Sequence, residues 1–542
     1  MTEVNFLPGD RLPVYFALMV EKKSGYLVLV AMIFAVSMTF IDQTIVSISV
    51  PKIQEDLSLT STGVQWVING YLLSLAALFA LGGKLADVFG HRRLVVIGVL
   101  VFALSSALCG ATPDTSIDEA WLIFFRIVQG AGAALMFPAA LAIVISSFPI
   151  QERGKAMAIF FGVTGAFTSV GPLAGGYLSE WTWRAIFWIN IPVAILSLVF
   201  IWISRPEETR RPQPIDYRGA VLVSLGMALG VLGLQQSSVW GWGAPLTWIC
   251  IVGGLVVLGA FIRFEMRQQH PLIRVKIFRD RAFAVDNMLL FLLSIAFVPL
   301  FFFASMYSQL ALGWQASEAG LYLLIFFGGF ATAAQFGGRI LDRAGARPTI
   351  IIGSLIAAIG FVLWALKLTD LDGGANAQWP FIVLTGVGFG LLLGPVATDA
   401  VNRAPNTSYG EATGVTQTVR NYGASVGMAI LGTILILRNK VNIENALAGK
   451  VPKAEAHQIA DEVSSAGSGS VVSSTPQGGK GEQIYHAVQS AFAESSRTVF
   501  LCMAGVMAAC FVVALIGSPP GRMEEVIPDD PQVADPESSG AA

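Results

Sequence analysis

The chain has 542 residues, of which 54% are hydrophobic and 13% are charged, and its mean hydropathy is +0.66. Soluble domains carry roughly 25% charged residues, so this composition predicts a protein that crosses a membrane many times. The formal net charge of −2 gives no support for nucleic-acid binding. No G-x-x-x-x-G-K-[ST] phosphate loop is present in the sequence, which argues against nucleotide hydrolysis by this chain as its source of energy.

Fourteen apolar stretches occur along the chain, each close to the roughly 20 residues that a helix needs to cross a hydrocarbon core of about 30 Å. They lie at 26–50, 62–82, 94–112, 119–147, 154–178, 183–204, 217–236, 245–264, 282–308, 317–341, 348–368, 380–402, 411–437 and 498–518. The predicted fold is therefore an all-α polytopic membrane protein with 14 transmembrane helices.

Basic residues are concentrated in alternate loops, and this bias predicts the orientation because Lys and Arg remain on the cytoplasmic side. With the N-terminus inside, the inner loops contain Lys84, Arg92, Arg93, Arg153, Lys155, Arg205, Arg210, Arg211, Arg218, Arg263, Arg267, Arg274, Lys276, Arg279, Arg281, Arg339, Arg343 and Arg347. The short outer loops contain only Lys52, Arg184 and Lys367. Both termini are thus predicted to be cytoplasmic.

Three segments are predicted to lie outside the membrane: a cytoplasmic N-terminal segment (1–25), an outer loop (438–497) and a cytoplasmic tail (519–542). The outer loop ends in the Gly/Ser-rich stretch "SSAGSGSVVSSTPQGGKG", a composition typical of flexible linkers. The tail is acidic and proline-rich, which favours disorder.

One loop motif occurs twice, after helix 2 as "GKLADVFGHRR" and after helix 10 as "GRILDRAGARP". Both copies fit G-x-x-x-D-x-x-G-x-R, which aligns Gly83, Asp87, Gly90 and Arg92 with Gly338, Asp342, Gly345 and Arg347. We call these segments the motif loops (83–92 and 338–347). They occupy equivalent places if 26–204 and 282–518 are corresponding six-helix halves and 205–281 contributes two inserted helices. Repeated halves that rock about a central site give secondary transporters alternating access.

The motif loops are candidates for a cytoplasmic latch. Glycines allow a tight turn between helix ends, and an aspartate can cap a neighbouring helix N-terminus or pair with an arginine across the junction of the halves. Such contacts would hold the cytoplasmic side closed in one state. A turn that carries topology-setting charge is the simpler alternative.

Five segments resemble the signature sequences of a known family: "DQTIVSISVP" in helix 1, the first motif loop, "RIVQGAGAA" in helix 4, "GPLAGG" in helix 5 and "WTWRAIFWINIP" leading into helix 6. Together with the fourteen spans, they resemble the fourteen-helix drug/proton antiporters of the major facilitator superfamily. The resemblance implies a major facilitator fold, and the helix-5 motif implies antiport. The chain departs from the family pattern at Ser47 and Ser49, where Asn and Ala are usual, and at Val88, where Arg is common.

Two charged residues fall inside predicted spans at similar depths, Asp42 at about 12 Å and Arg126 at about 10 Å below the outer surface. A charge at the bilayer centre costs roughly 2.5–3.5 kcal/mol on insertion scales, so it indicates a functional site. Burial favours the protonated carboxyl and a nearby guanidinium favours the anion, so the pair can exchange a proton near the working pH. We expect Asp42 to carry the proton and Arg126 to tune it. A static pair that joins helices 1 and 4 is the alternative.

Small and polar residues mark helices 4 and 5. Gln129 shares a helix face with Arg126 and can hydrogen-bond substrate or Asp42, although helix packing explains it as well. In helix 5, a ridge of small residues with one proline permits close helix contact, which we expect to seal the junction of the halves. Its members are Gly162, Gly165, Ser169, Pro172 and Gly176, and the antiporter-type motif of this helix adds Gly171 and Gly175. Gly171→Leu is expected to lower transport without lowering the amount of protein.

The second half offers further candidates for the substrate cavity, beside Asp42 and Gln129. Arg420 lies deep in helix 13 and is expected to be buried in protein. Asp286 and Asp399 lie near the cytoplasmic ends of their helices, where hydrated side chains reach the interface. Either acid is a candidate second coupling site. The aromatic run "FFFASMY" (301–307) is interpreted as core or lipid contact rather than cavity lining.

These features predict an exporter of the bacterial cytoplasmic (inner) membrane that exchanges external protons for lipophilic drugs or antibiotics, cationic ones included. No cofactor is expected, because the proton gradient supplies the energy. No metal site is expected, because the four histidines lie outside the apolar runs and no C-x-x-C pair is present. The expected partners are the lipid bilayer, lipophilic small molecules and protons, and no nucleic acid; the sequence gives no sign of a periplasmic adaptor. An exporter of one endogenous metabolite, such as a lipid, siderophore or self-made antibiotic, is the main alternative. A membrane-embedded enzyme would need convergent catalytic groups, and a channel would not need rocking halves.

Overall fold

The computed structural model describes residues 11–59, 61–149, 151–208, 214, 216–269, 271–404, 409–448, 450–453, 456–457, 459–460 and 479–521. The main helices are α1 (Arg11–Asp56), α2 (Ser61–Phe89), α3 (His91–Gly110), α4 (Asp118–Ser146), α5 (Arg153–Trp181), α6 (Asn190–Ser204), α7 (Tyr217–Trp240), α8 (Pro245–Glu265), α9 (Arg281–Leu310), α10 (Ala316–Ala344), α11 (Arg347–Lys367), α12 (Gly374–Asn402), α13 (Tyr409–Leu447) and α14 (Gly479–Gly517). A one-turn helix (Ala185–Trp188) precedes α6, and a 3₁₀ turn (Val275–Arg279) precedes α9.

Fourteen helices in the described residues are long and apolar enough to cross a membrane, with α6 and its preceding turn counted as one span, Ala185–Ser204. The shortest spans have 20 residues, which at 1.5 Å per residue cover about 30 Å of hydrocarbon. The predicted all-α fold with fourteen spans is confirmed.

Three helices extend beyond the ends predicted from apolar composition. α1 begins at Arg11, α13 continues to Leu447 and α14 starts at Gly479, so both ends of the predicted outer loop 438–497 are helical. The extensions of α13 and α14 bury their own apolar stripe, because Ile443 and Leu447 pack with Ala456, Ala460, Ala487 and Ala491. The described residues do not include 1–10, 461–478 or the tail from 522. The range 461–478 contains most of the Gly/Ser-rich stretch.

The helix pairing is the same in the two halves. In the first half, α1 packs against α5 and α6, α2 against α4, and α3 against α4 and α6. Adding eight to each number gives the pairs of the second half, in which α9 packs against α13 and α14, α10 against α12, and α11 against α12 and α14. Each half is therefore one copy of a common six-helix arrangement.

Two symmetry-related junctions join the halves. α5 packs against α10, and α2 packs against α13. Exchanging each helix for its counterpart in the other half, α5 for α13 and α2 for α10, converts one junction into the other. The inserted helix α7 packs on α2 and α13, with α8 behind it. We call the end of the bundle that carries both motif loops the motif face, which is the predicted cytoplasmic side, and the opposite end the far face.

Candidate functional site

Asp42, Arg126 and Gln129 form a closed ring of hydrogen bonds between α1 and α4. Arg126 Nη1 donates to Asp42 Oδ2 at 2.6 Å and to Gln129 Oε1 at 2.8 Å. Gln129 Nε2 donates to Asp42 Oδ1 at 2.8 Å. The three residues are 0%, 1% and 0% exposed respectively. Each carboxylate oxygen of Asp42 thus has its own donor, although no water reaches the group. We call this set the α1–α4 polar ring.

The surroundings of the ring hold the guanidinium in place. Arg126 Nε donates to the backbone oxygen of Val67 at 2.9 Å, and the guanidinium carbon lies 4.5 Å from the centre of the Tyr71 ring. The Phe187 ring lies 6.0 Å away on the one-turn helix before α6. Because buried charge pairs are stable only when every polar group is satisfied, these contacts explain how the pair exists in an apolar setting.

Sequence periodicity could identify part of this ring. Arg126 and Gln129 are one turn apart, so both side chains project toward α1. Val67 and Tyr71 were missed. A backbone carbonyl leaves no trace in a sequence, whereas a tyrosine inside the apolar span of α2 was a usable signal.

The structure corrects the expectation that Asp286 and Asp399 reach the membrane interface. Asp286 is 0% and Asp399 is 3% exposed, because α9 and α12 pack together at this level. Arg403 Nε donates to Asp399 Oδ2 at 2.7 Å one turn along α12. The Asp286 carboxyl lies beside that of Asp399, within hydrogen-bonding reach if one of them holds a proton. Neither oxygen of Asp286 meets a donor in the described residues.

The two buried carboxyl sites use equivalent helices at opposite depths. Asp42 lies on the first helix of its half and contacts the fourth, and Asp286 on α9 faces α12 in the same relationship. Asp286 follows the start of α9 at the motif face by five residues, whereas Arg126 follows the start of α4 at the far face by eight. The halves share their architecture but differ in where they bury charge.

Arg420 lies on α13 at the junction of the halves. It is buried, as expected, and its Nη1 donates to Gln417 Oε1 at 3.1 Å. The guanidinium carbon lies 5.4 Å from the centre of the Phe161 ring, which belongs to α5 of the other half. Neither carboxyl site supplies a hydrogen-bond or ring partner of Arg420, which forms a separate polar position.

The second motif loop contacts the start of α5 in the opposite half. Asp342 Oδ1 accepts a hydrogen bond from the backbone nitrogen of Gly154 at 3.0 Å, so the aspartate caps a helix N-terminus, where its negative charge is favoured. A Cβ on Gly154 would come within 2.6 Å of the Gly338 backbone oxygen. The backbones touch, and only glycine permits that approach.

The first motif loop lies against the start of α13 in the same way. A Cβ on Gly410 would meet Asp87 Oδ1, and one on Gly83 would come within 2.9 Å of Gly414 Cα. His91 Nε2 lies 3.2 Å from Asp87 Oδ1. Next to this contact, Glu411 accepts a hydrogen bond from the backbone nitrogen of Arg274 at 2.6 Å, which joins the segment before α9 to the junction.

The two turns of the motif loops have matching backbone conformations. Gly90 has φ 103° and Gly345 has φ 85°, a region that side-chain-bearing residues rarely adopt. Arg92 and Arg347 begin α3 and α11 and are partly exposed. Arg347 Nη2 donates to the Leu515 backbone oxygen of its own half at 3.3 Å, so this arginine does not serve the contact across the junction.

The glycines of α5 face two different partners, which corrects the expectation that Gly171 lies at the junction of the halves. Gly162 and Gly165 face α10 of the other half, where added Cβ atoms would lie 3.7 Å from Ala331 and 2.8 Å from Phe327. Gly171 and Gly175 face α1 of their own half, at Thr44 and Ile45, because α5 leaves the junction toward the far face. The surroundings of Pro172 and Gly176 lie outside the described residues.

Phenylalanines form an apolar cluster where α10 meets α9 and α12. Phe301 stacks on Phe327 with ring centres 5.2 Å apart, and Phe302 next to it is 44% exposed on the outer surface of the bundle. The cluster consists of Phe297, Phe301, Phe326, Phe327, Phe330 and Phe389. The run 301–307 thus contributes both to the core and to the lipid-facing surface.

The sequence matches the family model described as Major Facilitator Superfamily over residues 32–428. It is 33% identical over 413 residues to the "Tetracenomycin C resistance and export protein" of Streptomyces glaucescens, covering 76% of each chain. It is 34% identical to the "Puromycin resistance protein pur8" of Streptomyces alboniger, covering 75% of this chain and 81% of that one. The "Multidrug transporter protein MdtP" of Bacillus subtilis is 30% identical, with 76% of each chain covered.

Solved structures agree in fold. The proton:xylose symporter XylE bound to 6-bromo-6-deoxy-D-glucose superposes with a TM-score of 0.58 at 14% identity, covering 93% of this chain and 97% of that one. The human organic anion transporter MFSD10 superposes with a TM-score of 0.56 at 14% identity, covering 91% and 99%. At these identities the likeness shows the fold alone.

Proposed function

The chain belongs to the major facilitator superfamily, and from that membership we propose that it exports lipophilic drugs or antibiotics in exchange for protons. It is a transporter rather than an enzyme, and its relatives are named antibiotic and multidrug resistance or export proteins. Those relatives are bacterial, so we assign its site of action to the bacterial cytoplasmic membrane, across which the proton gradient would drive export.

The α1–α4 polar ring is the observation that best supports the proposed proton coupling. In the charged state, Asp42 accepts hydrogen bonds from Arg126 and Gln129 on its two oxygens. A proton on Asp42 cancels the carboxylate charge and turns one acceptor into a donor. Arg126 then has no counter-charge among the described residues, because its other partners are neutral: Gln129, the Val67 carbonyl and the rings of Tyr71 and Phe187. Since an unpaired buried charge costs about 3–5 kcal/mol, protonation favours a different packing of α1 against α4.

This difference in free energy is what coupling requires. A ligand shifts a conformational equilibrium only through its different affinities for the two states, and the proton is such a ligand if the ring closes in one state and opens in the other. The contacts of Asp342 with Gly154 and of Asp87 with Gly410 join the halves at the motif face. We propose that these latch contacts break when the halves rock and that Asp42 then exchanges its proton.

Asp286 and Asp399 are the second candidate for proton binding. A carboxyl pair of this kind can hold one shared proton, and Asp286 has no other donor among the described residues. The position near the motif face would let this pair exchange protons with the predicted cytoplasmic side. The α1–α4 polar ring remains the main site, because it is the one that joins two helices through a charge pair.

An exporter dedicated to one compound is the second candidate function. The relatives include proteins named for single antibiotics, such as the tetracenomycin C and cephamycin export proteins, as well as proteins named for multidrug transport. Competition for transport among chemically unrelated compounds would favour the multidrug reading. Inhibition by one chemical series alone would favour the dedicated exporter.

The test is transport into proteoliposomes that contain the purified protein and an imposed pH gradient. Accumulation of a labelled lipophilic compound should depend on the gradient, reverse when the gradient is reversed, and vanish with a protonophore. A panel of compounds should be scanned, with empty liposomes to subtract passive partition. Equal accumulation in the presence and absence of the gradient would rule out proton coupling.

A further inference from the structure

Arg420 carries a buried positive charge that the protein itself does not neutralise. The residue is 8% exposed; its Nη1 donates to a neutral amide oxygen of Gln417, and its Nε has no partner. Within the described part of the chain, no carboxylate oxygen lies within 4 Å of the guanidinium. A guanidinium cannot shed its proton in a protein, so this charge persists.

The other two buried arginines of the described residues have more partners than Arg420. Arg126 is paired with Asp42 at 2.6 Å. Arg153 donates to the Phe148 backbone oxygen at 3.1 Å and to Asn402 Oδ1 at 2.9 Å. Burying an uncompensated charge is strongly unfavourable, and a packed glutamine or leucine would avoid that penalty. Arg153 has no counter-charge either, but it begins α5 at the motif face and both of its contacts satisfy donors. Arg420 lies deep in α13 with no counter-charge and no partner for its Nε, which indicates that the missing counter-charge comes from a ligand.

The depth and location of Arg420 suit a transported ligand. The residue follows Tyr409 at the motif face by 11 positions, which is about 16 Å along a helix and near the middle of a hydrocarbon core of roughly 30 Å. Phe161 of the opposite half lies against its guanidinium, so the position is shared by the two halves. Secondary transporters bind their cargo at this level between their repeats.

The neighbouring surface is aromatic. Phe161 lies one turn before Gly165, against which Phe327 of the phenylalanine cluster packs. A ligand that reaches the Arg420 charge from the junction therefore also meets aromatic rings. We propose that Arg420 binds the anionic group of an amphiphilic substrate, a carboxylate or an ionised acidic phenol carried on a lipophilic body. This inference rests on the proposed export function and names its substrate class.

The experiment uses two fluorescent probes that differ only in charge, 1-pyrenebutyrate and its neutral primary amide. Binding to the full-length protein in lipid nanodiscs is followed by anisotropy, with empty nanodiscs as the blank. We expect the carboxylate to bind about tenfold more tightly than the amide, the size of one charge-assisted hydrogen bond. R420Q should abolish this preference by weakening the carboxylate alone.

A second variant keeps the arginine. Q417E sets a carboxylate beside the guanidinium at the contact that is 3.1 Å long in the natural chain, so it supplies the counter-charge internally. It should also lose the preference, whereas R497Q, which removes a partly exposed arginine of α14 that pairs with Glu494 at 3.2 Å, should retain it.

The outcomes distinguish the inference from the function on which it rests. Equal binding of both probes, or a carboxylate preference that survives in R420Q and Q417E, would overturn the anion site and leave a lipophile exporter. Failure of both probes to bind, together with no transport of any lipophile in proteoliposomes, would overturn the export function as well. A preference that R420Q and Q417E both abolish supports the assignment.

Discussion

The buried charges of Asp42 and Arg126 neutralise each other. The effect of substituting either residue on stability therefore depends on whether its partner is present. Removing one leaves a charge buried in an apolar setting, and removing both leaves neutral groups that can still hydrogen-bond. The energetic signature of the α1–α4 polar ring is therefore non-additivity.

We expect Arg126→Gln alone to destabilise the protein by about 3 kcal/mol, since Asp42 loses its counter-charge. The double variant Asp42→Asn/Arg126→Gln should be less destabilised than the single arginine variant, because no unpaired charge remains. Thermal unfolding of purified protein in detergent, with each single variant measured in parallel, gives the coupling energy. Strict additivity of the two substitutions would mean that the pair does not interact.

Asp286 provides a second prediction at the residue scale. In Asp286→Asn, the amide supplies a permanent donor to Asp399, so the shared proton is no longer needed and fewer protons should move per substrate exported. Asp280→Asn is the matched control, because it removes a nearby carboxylate that caps the same helix through Phe283 N while Asn caps equally well. A proton-to-substrate ratio that is unchanged in Asp286→Asn would exclude this pair from coupling.

At the residue scale, the sequence predicted the charged residues of the candidate sites well, but it predicted their contacts poorly. A carboxylate in an apolar span is visible by composition, and helix depth placed Asp42 and Arg126 in one layer. The burial of Asp286 and Asp399 was not foreseen, because distance from a helix end does not reveal that α9 and α12 pack together there. The absence of a counter-charge at Arg420 is likewise a fact of three-dimensional packing.

α5 shows how one helix serves two interfaces. Its first half touches α10 across the junction, and its second half touches α1, the helix that carries Asp42. The antiporter-like glycine motif therefore supports the proton site from behind rather than the seal between the halves. Gly171→Leu was expected to leave the amount of protein unchanged because Gly171 was placed at the junction of the halves. That reason no longer holds, since Gly171 contacts α1.

Two alanine substitutions in α5 separate its interfaces. A Cβ at Gly171 would overlap the Thr44 side chain and come within 3.0 Å of the Ile45 backbone nitrogen, so Gly171→Ala should destabilise the protein by about 1–3 kcal/mol through overpacking. Gly162→Ala is the control, because its Cβ meets Ala331 at an ordinary 3.7 Å. Melting temperature and the monodisperse yield after solubilisation are the readouts. Equal behaviour of both variants would contradict the close α1–α5 contact.

The length of each apolar stretch was enough to predict that a helix is present there. It was not enough to predict where the helix begins and ends. A span of 20 apolar residues identifies itself, but α13 and α14 continue as polar helices because Ile443 and Leu447 find apolar partners. This packing involves only a few apolar residues at helical spacing. The average hydrophobicity of the surrounding sequence therefore does not reveal it. The glycines of the motif loops carried more information, since positive φ at Gly90 and Gly345 requires them.

On the scale of the whole molecule, the two latch contacts are exchanged by the internal repeat. Asp342 of the second half reaches the start of α5, and Asp87 of the first half reaches the start of α13. Each half thus holds the fifth helix of the other half through a backbone contact. Opening the motif face has to break both contacts together, which favours rocking of rigid halves over local movement.

A disulfide across the junction tests that motion. A Cβ at Gly162 would lie 3.8 Å from Ala331 Cβ, a separation that suits a disulfide. We expect Gly162→Cys/Ala331→Cys to lose transport on oxidation and to regain it on reduction, in a background that lacks Cys109, Cys250, Cys502 and Cys510. The single-cysteine variants, treated identically, are the controls. Full transport by the cross-linked protein would show that the halves do not separate here.

The most direct measurement of the central claim compares two modes of transport by Asp42→Asn in the same proteoliposomes. The account predicts that accumulation driven by a pH gradient is lost, whereas exchange of labelled for unlabelled substrate without any gradient continues at a rate close to that of the natural chain. Asp42→Glu, which retains an ionisable carboxyl, should restore part of the gradient-driven accumulation. If Asp42→Asn still concentrates substrate against its gradient when only a proton gradient is supplied, Asp42 is not the proton carrier.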